Sequence, residues 1–463
     1  MANVIVCGAG IGGLLTAVLL GKDGHRVTVL ERDPAPVPEA DDAWDVWERR
    51  GVNQFRTVHL LLPRFARLMD TEAPEVVAGL DAAGALRLNP FAAADGSVER
   101  PEDADFGMVT ARRPVVEAAV ARVADATPGV TVRRGAAVAG LLSRAGEVPH
   151  VTGVVTEGGE TVPADLVIDS TGRRSPLLRW LEGIGARPPV EETEDSGFVY
   201  YQRFFRSPDG SLPMVIAGFV QTLGSITTLT LPSDRGTWGV VITTSSKDTA
   251  LRGLRDTATW TKVIRSLPTV AHWADAEALT EVVPMAKIED RYRRMVVDGA
   301  PVVTGLLTVA DAWACSNPSL GRGVSLGADH AVRLRDVLRA HGPTDAAALA
   351  RAWDDVTEAA LTPWYRATVF QDRHRLAEID AAIVGLPYEP PDPRWHHMRR
   401  VERYLMFDSD LLRTYVRANN LLDPFESLFT DAVREKVAKL EAEHGEGMAL
   451  PAPAREDLLA LAG

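Results

Sequence analysis

Residues 3–22, NVIVCGAGIGGLLTAVLLGK, leave the chain little choice of fold. The short, β-branched run NVIVC predicts a buried parallel strand. Glycines follow at once, in Gly8-Ala9-Gly10-Ile11-Gly12-Gly13, and an apolar run then predicts a helix. HRVTVLERD predicts a second strand ending at Glu31. A strand that turns on glycines straight into a helix and returns as a strand is a βαβ unit, so the chain builds an α/β fold. The glycines fit G-x-G-x-x-G. In that pattern Gly8 permits the tight turn, Gly10 lets the backbone approach a pyrophosphate, and Gly13 lets helix and strand pack closely. The helix N-terminus, with Ile11 and Gly12 in its first turn, offers amides to phosphates. Glu31 lies about 20 residues on, where a carboxylate accepts ribose hydroxyls. Arg32 beside it is either solvated or a contact for a 2′-phosphate. Together these features predict dinucleotide binding.

Length and charge narrow the class. At 463 residues the chain makes about two to four folding units, or one elaborate multi-part enzyme. Its net charge of -13 argues against a nucleic-acid partner, which needs a basic face. Its cysteines, Cys7 and Cys315, form no disulfide or metal pattern, and HHM at 396–398 lacks a spaced third ligand. No metal is expected, and a reducing cytoplasm fits. No run reaches the ~20 apolar residues of a membrane span, and the N-terminus lacks the basic start of a signal peptide. The tail 441–463 reads as a loosely held helix.

Three later stretches choose the dinucleotide. MVTARRPVVEAAVARVA, 108–124, is an amphipathic helix with Arg112 and Arg113 at its start, where the helix dipole disfavours cations unless an anion or acceptor is near. ADLVIDSTGRRSPLLRWLEGIG, 164–185, is a strand running into a small-residue turn and a helix. APVVTGLLTVADAWACSNPSLGRGVSLGAD, 300–329, delivers Asp311 to a strand end, turns on Pro318, Gly321 and Gly323, and enters a long helix.

These three marks, in this order, resemble the FAD-dependent monooxygenases of the para-hydroxybenzoate hydroxylase fold superfamily, over roughly residues 1–365. The resemblance implies an α/β, Rossmann-like FAD-binding domain of the GR2 type, a β-sheet substrate domain and a C-terminal helical region. It places the discontinuous FAD-binding domain at 1–70, 105–190 and 285–360, the substrate sheet at 71–104 and 191–284, and the helical region at 361–463. FAD is the implied cofactor. Gly8, Gly10 and Gly13 would bind its pyrophosphate, Glu31 its adenosine ribose, Arg113 its phosphate and ribityl region, and Asp311 its ribityl chain. Pro318, Gly321, Arg322, Gly323 and Val324 would lie beside the pyrimidine edge of the flavin, where amides stabilise developing negative charge.

Two departures qualify the resemblance. Ala310 stands where the family usually has Gly before the aspartate, which is tolerable while its φ stays negative. Thr171-Gly172-Arg173-Arg174-Ser175 replaces the Asp-Gly-x-x-Ser of aromatic hydroxylases, with Asp169 two residues upstream. The pattern Trp47, Arg49, Gly51, Val52, Gln54 and His59, with STGRRSPLLRWL, is closer to flavin epoxidases and natural-product relatives, and makes Arg49 a candidate flavin-loop residue. Electrons would then come from NAD(P)H or from a partner flavin reductase.

Residues 190–285 alternate like a half-buried sheet. Tyr201, Phe205 and Trp238 are its candidate substrate-pocket residues, with core packing as the alternative, and His59, in the loop after the Trp47-to-Gln54 pattern, is a further candidate. No acid–base constellation emerges, so the catalytic residues stay unassigned. The resemblance implies epoxidation or hydroxylation of an apolar or aromatic small molecule by O₂, through a flavin C4a-hydroperoxide, as in secondary metabolism. The alternatives are an FAD-dependent dehydrogenase or reductase, a halogenase, whose G-W-x-W-x-I-P signature is absent, and a non-catalytic flavin-binding protein.

Overall fold

The computed structural model describes residues 1–52, 54–57, 59–92 and 98–463. The chain forms two compact units. The first is Met1–Arg56, Leu61–Glu194 and Asp290–Tyr365; the second is Thr57–Leu60, Asp195–Glu289 and Arg366–Gly463.

The first unit is built on five parallel strands. β1 (Asn3–Cys7) leads into α1 (Ile11–Lys22) and β2 (Arg26–Glu31). α2 (Arg113–Ala126) leads into β3 (Val130–Arg134), and β4 is Leu166–Asp169. β5 (Glu289–Arg294) lies in a separate three-stranded sheet. β6 (Leu306–Thr308) completes the parallel sheet and is followed by α3 (Gly323–His341) and α4 (Ala346–Ala360). The spatial order is β6-β4-β1-β2-β3. The chain thus reverses its direction of travel between β1 and β4, and ligands of open α/β sheets bind at such a switch point, beyond the strands' C-terminal ends. α1 is buried almost all round because it is wedged among the sheet, α2 and α3, which explains its lack of a polar face.

Of residues 71–104, expected with the substrate sheet, the described ones (71–92 and 98–104) fall in the first unit instead. The helices Pro63–Glu72 and Pro74–Ala82 bury Phe65, Met69, Val76 and Leu80 in its main core, against α2 and α3.

The second unit is an antiparallel sheet ordered Val220–Leu223, Ile226–Pro232, Thr237–Ser245, Phe198–Arg206, Glu277–Ala278, with Val283–Met285 also pairing the Phe198–Arg206 strand. Side chains alternate between its faces. Tyr201, Phe205, Trp238, Val240 and Ile242 share one face and pack on the helix Thr257–Arg265. Phe198, Tyr200 and Val241 share the other, with Ile379 from the helix Thr362–Ile383. The C-terminal region is therefore no separate layer: from Arg366 it folds with the sheet. The tail is not loose either. The helix Arg455–Ala462 buries Leu458 and Ala462 beside Trp260, and Arg455 grips Asp248 through two bonds of 2.6 Å.

Candidate active site

Three turns leave the parallel sheet at one level. Cys7 pairs with Asp169 and Asp169 with Thr308, so Gly8, Ser170 and Val309 stand side by side at the C-terminal edge. Backbone bonds continue the ladder past the strands, from Ser170 N to Cys7 O and from Val309 N to Asp169 O, both 2.9 Å.

The glycines of the first turn answer to different neighbours. Gly8 has φ +105, and a Cβ there would stand 2.5 Å from the Ser170 carbonyl oxygen. A Cβ on Gly13 would stand 2.2 Å from the Gly8 oxygen, and one on Gly12 2.8 Å from the Ala310 methyl. Those three positions are closed by the protein itself. Gly10 is not: its φ of -77 suits any residue, and its Cβ would meet no atom within 4 Å. The space beside it is open where a pyrophosphate would approach. α1 has no side-chain cap and no acid in its first turn, so its leading amides can take an anion. Ile11 is buried in the core.

Glu31 is 4% exposed, and its carboxylate shapes the glycine turn. It accepts from Ala9 N at 2.8 Å, Asp33 N at 2.9 Å and Arg49 Nη2 at 2.6 Å. With about four acceptor positions on a carboxylate, these three donors leave it room for one more rather than two. Arg32 is exposed and lies against Gly51, in a cleft it shares with Asp33, Arg50, Arg133 and Arg174.

Arg49 is a buried clamp. It bonds Glu31, Glu117 (2.5 Å), Asp33 (3.3 Å) and the Ala9 carbonyl oxygen (2.8 Å). Glu117 also accepts from Arg113 Nε at 2.6 Å, one helical turn away. Burial alone would push the Glu117 pKa up; Arg49 and Arg113, with their hydrogen bonds, hold it below the ordinary value. The arginine of the R-x-x-V-E pattern is thus oriented by that pattern's own glutamate. Arg112, at the N-cap of α2, is buried with its guanidinium over the Trp44 ring.

The central turn is shaped by Asp169, fully buried, which accepts from Thr171 N (2.9 Å), Thr171 Oγ1 (2.6 Å) and Ser175 Oγ (2.5 Å). Asp169 therefore does not replace the missing Asp of the Asp-Gly pattern; it is spent on the turn.

Asp311 sits in the third turn, between β6 and α3. Water reaches its carboxylate although protein crowds round it, and no described residue hydrogen-bonds it. The crowding raises its pKa, while Arg113, Arg173 and Arg291 pull it down. Arg291 of β5 also joins two turns: it donates to the Arg173 carbonyl oxygen at 2.6 Å and to the Asp311 carbonyl oxygen at 3.1 Å. Arg293, two residues along the same strand, donates to the Ala312 carbonyl oxygen at 3.2 Å. Neither was singled out from the sequence, although arginines at period two in EDRYRR put both on one side of a strand. Gly321 takes the left-handed conformation at φ +65. Gly323 opens α3 with nothing within 4 Å of a Cβ, and α3 too lacks a side-chain cap. Pro318 and Val324 are half-buried beside it, and Arg322 is buried with its guanidinium over Trp364.

Ala310 has φ +51, against the negative value expected. The sequence gives Ala where the turn needs a left-handed residue, and the surrounding structure holds it there.

The expected pocket aromatics Tyr201, Phe205 and Trp238 are buried in the helix-covered core of the second unit, where Trp238 Nε1 donates to the Trp273 carbonyl oxygen at 2.8 Å and Trp238 also lines a small cleft with Ser207 and His272. The period-two alternation was legible, but not which face the helices cover. His59 is half-buried, its Nδ1 3.1 Å from the Thr57 carbonyl oxygen. Among the described residues no group of three His, Cys, Asp or Glu could hold a metal ion, and no helix is long and apolar enough to cross a membrane.

The residues fit FAD. An open approach beside Gly10, two uncapped helix N-termini and an accessible carboxylate in an arginine-lined turn match a dinucleotide's phosphates and polyol chain. Comparison with known proteins agrees. The family model described as FAD binding domain matches residues 1–348. Protein Rv3254 of Mycobacterium tuberculosis is 28% identical over 426 residues, which span 85% of this chain and 83% of that protein. PqsL of Pseudomonas aeruginosa, described as a probable FAD-dependent monooxygenase, shares the fold at a TM-score of 0.60 and 18% identity, over 82% of this chain and 99% of its own. A variant of HpxO from Klebsiella pneumoniae, complexed with FAD, shares it at a TM-score of 0.62 and 15% identity, over 92% of this chain and 100% of its own. The chain belongs to the FAD binding domain family and has the para-hydroxybenzoate hydroxylase-type fold that these structures share.

Proposed function

We propose that the protein is a monooxygenase that places one oxygen atom of O₂ on an apolar or aromatic small molecule, by epoxidation or hydroxylation, in cytoplasmic secondary metabolism. One observation carries the reading: Asp311 and the uncapped α3 N-terminus follow β6 on the same turn, at the level of the Gly8 turn. Bound FAD, once reduced, supplies the activation of O₂. The chain's residues bind and orient. The amides of Ile11 to Gly13 would hold the pyrophosphate, with Arg113 beside it. Asp311 would hold the ribityl chain, and the amides of Gly321 to Gly323 would face the flavin's pyrimidine edge. Donors fixed there stabilise negative charge without reorganising as it develops. The description of PqsL as a probable FAD-dependent monooxygenase supports oxygen chemistry.

Electrons would come from NAD(P)H or from a partner flavin reductase. The central turn, which has Thr171-Gly172 where aromatic hydroxylases carry Asp-Gly, supports the partner. Flavin reduction followed with NADH, NADPH and an added reductase decides between the two sources. For the reaction itself, anaerobically reduced holoprotein is mixed with O₂. A monooxygenase reoxidises in two resolved phases; a single phase, unaltered by candidate substrates, favours a dehydrogenase on the same fold. Asp311→Ala is expected to weaken FAD retention at least tenfold, and wild-type retention would remove Asp311 from the site.

A further inference from the structure

Ala310 precedes Asp311 and is held in a conformation that suits glycine. Its φ is +51, where the Cβ of an L-residue crowds its own backbone. The methyl also has no freedom to turn away, because it packs between two helices: an added Cβ on Gly12 of α1 would lie 2.8 Å from it, and one on Gly327 of α3 3.4 Å. Something must offset this strain if Asp311 is to stay in place.

The amide of Ala310 donates to Nδ1 of His330, 3.0 Å away and twenty residues along the chain. His330 is 1% exposed and lies on α3. Its ring stacks on Trp353 of α4, at 4.4 Å between centroids and 15° between planes, and meets Trp313 edge-on at 5.0 Å. Trp353 is anchored in turn, its Nε1 donating to the Thr308 carbonyl oxygen at 3.2 Å. The ring therefore cannot swing away. Because the amide is a donor, Nδ1 must be the acceptor; Nε2 then carries the proton, 3.3 Å from Thr357 Oγ1. Burial, aided by Arg333, holds the pKa down at about 3, so the imidazole stays neutral and keeps its lone pair on Nδ1 at any working pH. Residues 308 and 310 are thus gripped by adjacent rings of one stack, and Asp311 follows directly.

We propose that His330 is a positioning residue for the cofactor: through the Ala310 amide it fixes the left-handed turn that presents the Asp311 carboxylate to the ribityl chain of FAD. The inference rests on the reading of Asp311 as an FAD ligand. It also accounts for alanine where related turns carry glycine, since a fixed acceptor can hold a strained residue that glycine would not need held.

The test moves the acceptor while keeping a polar side chain. Asn at 330 places Oδ1 near the position of Nδ1; Gln places Oε1 near that of Nε2. Apoproteins are titrated with FAD by flavin fluorescence, and their thermal midpoints are recorded without FAD. His330→Asn is expected to bind FAD within about threefold of wild type, and His330→Gln about tenfold or more weaker, the scale of one lost hydrogen bond to a buried amide. Adding Ala310→Gly to His330→Gln should recover at least about threefold, because glycine takes the turn unaided. A role in core packing alone would lower both thermal midpoints and give Asn and Gln the same FAD affinity, with no recovery from Ala310→Gly; that result overturns the proposal. Asp311→Ala is the control. If it loses FAD while His330→Gln binds as wild type, the positioning role falls and the Asp311 reading stands. If Asp311→Ala itself binds FAD as wild type, both fall.

Discussion

Cys7 and Asp169 stand opposite each other on the neighbouring parallel strands β1 and β4, and the glycine turn and the central turn therefore leave the sheet together. The contact is close enough that the Ser170 carbonyl oxygen occupies the space a side chain on Gly8 would need. One turn of the site is thus partly built from the other.

The glycines should separate by what they face. Gly13→Ala drives a methyl toward the Gly8 oxygen and should lower the thermal midpoint of the apoprotein as well as FAD affinity. Gly10→Ala meets no protein atom and needs no unusual φ. Its apoprotein stability should stay within about 0.5 kcal/mol of wild type, while FAD titration shows a loss of tenfold or more. Unchanged FAD binding in Gly10→Ala would refute the pyrophosphate approach drawn beside it.

Arg49 is expected to matter first for stability. Arg49→Met leaves Glu117, wholly buried, and Glu31 without their shared cation, and should cost about 3–5 kcal/mol in denaturant unfolding. Folded Glu117 titrates below its unfolded counterpart, so the stability it contributes is fully present above its ordinary pKa of 4.5 and is lost as pH falls through the folded value. Unfolding followed from pH 7 down to 3 should show this acid limb, and Glu117→Gln should flatten it. An acid limb unchanged in that variant would mean other carboxylates govern it.

Trp238→Ala should cost about 3–5 kcal/mol by opening a cavity in the second unit's core and freeing the Trp273 carbonyl oxygen. FAD affinity should be unaltered. A selective change in substrate turnover with stability intact would return Trp238 to the pocket.

Arg455→Ala should destabilise by about 2–3 kcal/mol, below the figure for fully buried pairs because Arg455 is partly exposed. Asp248, 3% exposed, would lose both of its bonds to the tail helix. Calorimetry would read the loss, and an unchanged midpoint would show the tail to be dispensable.

What could be read in the sequence was local. A strand, a glycine turn and a helix N-terminus are neighbours in the chain, so all three turns and Asp311 were visible as patterns. What could not be read depends on partners brought together by folding. Arg49 meets Glu117 only once α2 packs beside the glycine turn. In Thr237–Ser245 every residue is buried, so no hydrophobic alternation marks which face the helices cover. The left-handed Ala310 is legible only beside His330, since alanine by itself signals no such conformation.

The parallel sheet has a consequence for synthesis. β6 is the last strand of that sheet to be made and joins an edge laid down at β4, with the whole Phe198–Ser245 sheet segment translated in between. Pairings this distant in sequence form slowly, because loop-closure entropy is lost before any contact rewards it. A chain still on the ribosome can close β1, β2 and β3 early, but it lacks the Asp311 turn until β6 arrives. On the proposed reading of Asp311, cofactor capture waits until that turn is made, and a nascent chain stalled before Leu306 would leave its β4 edge unpaired, a strand edge prone to aggregation.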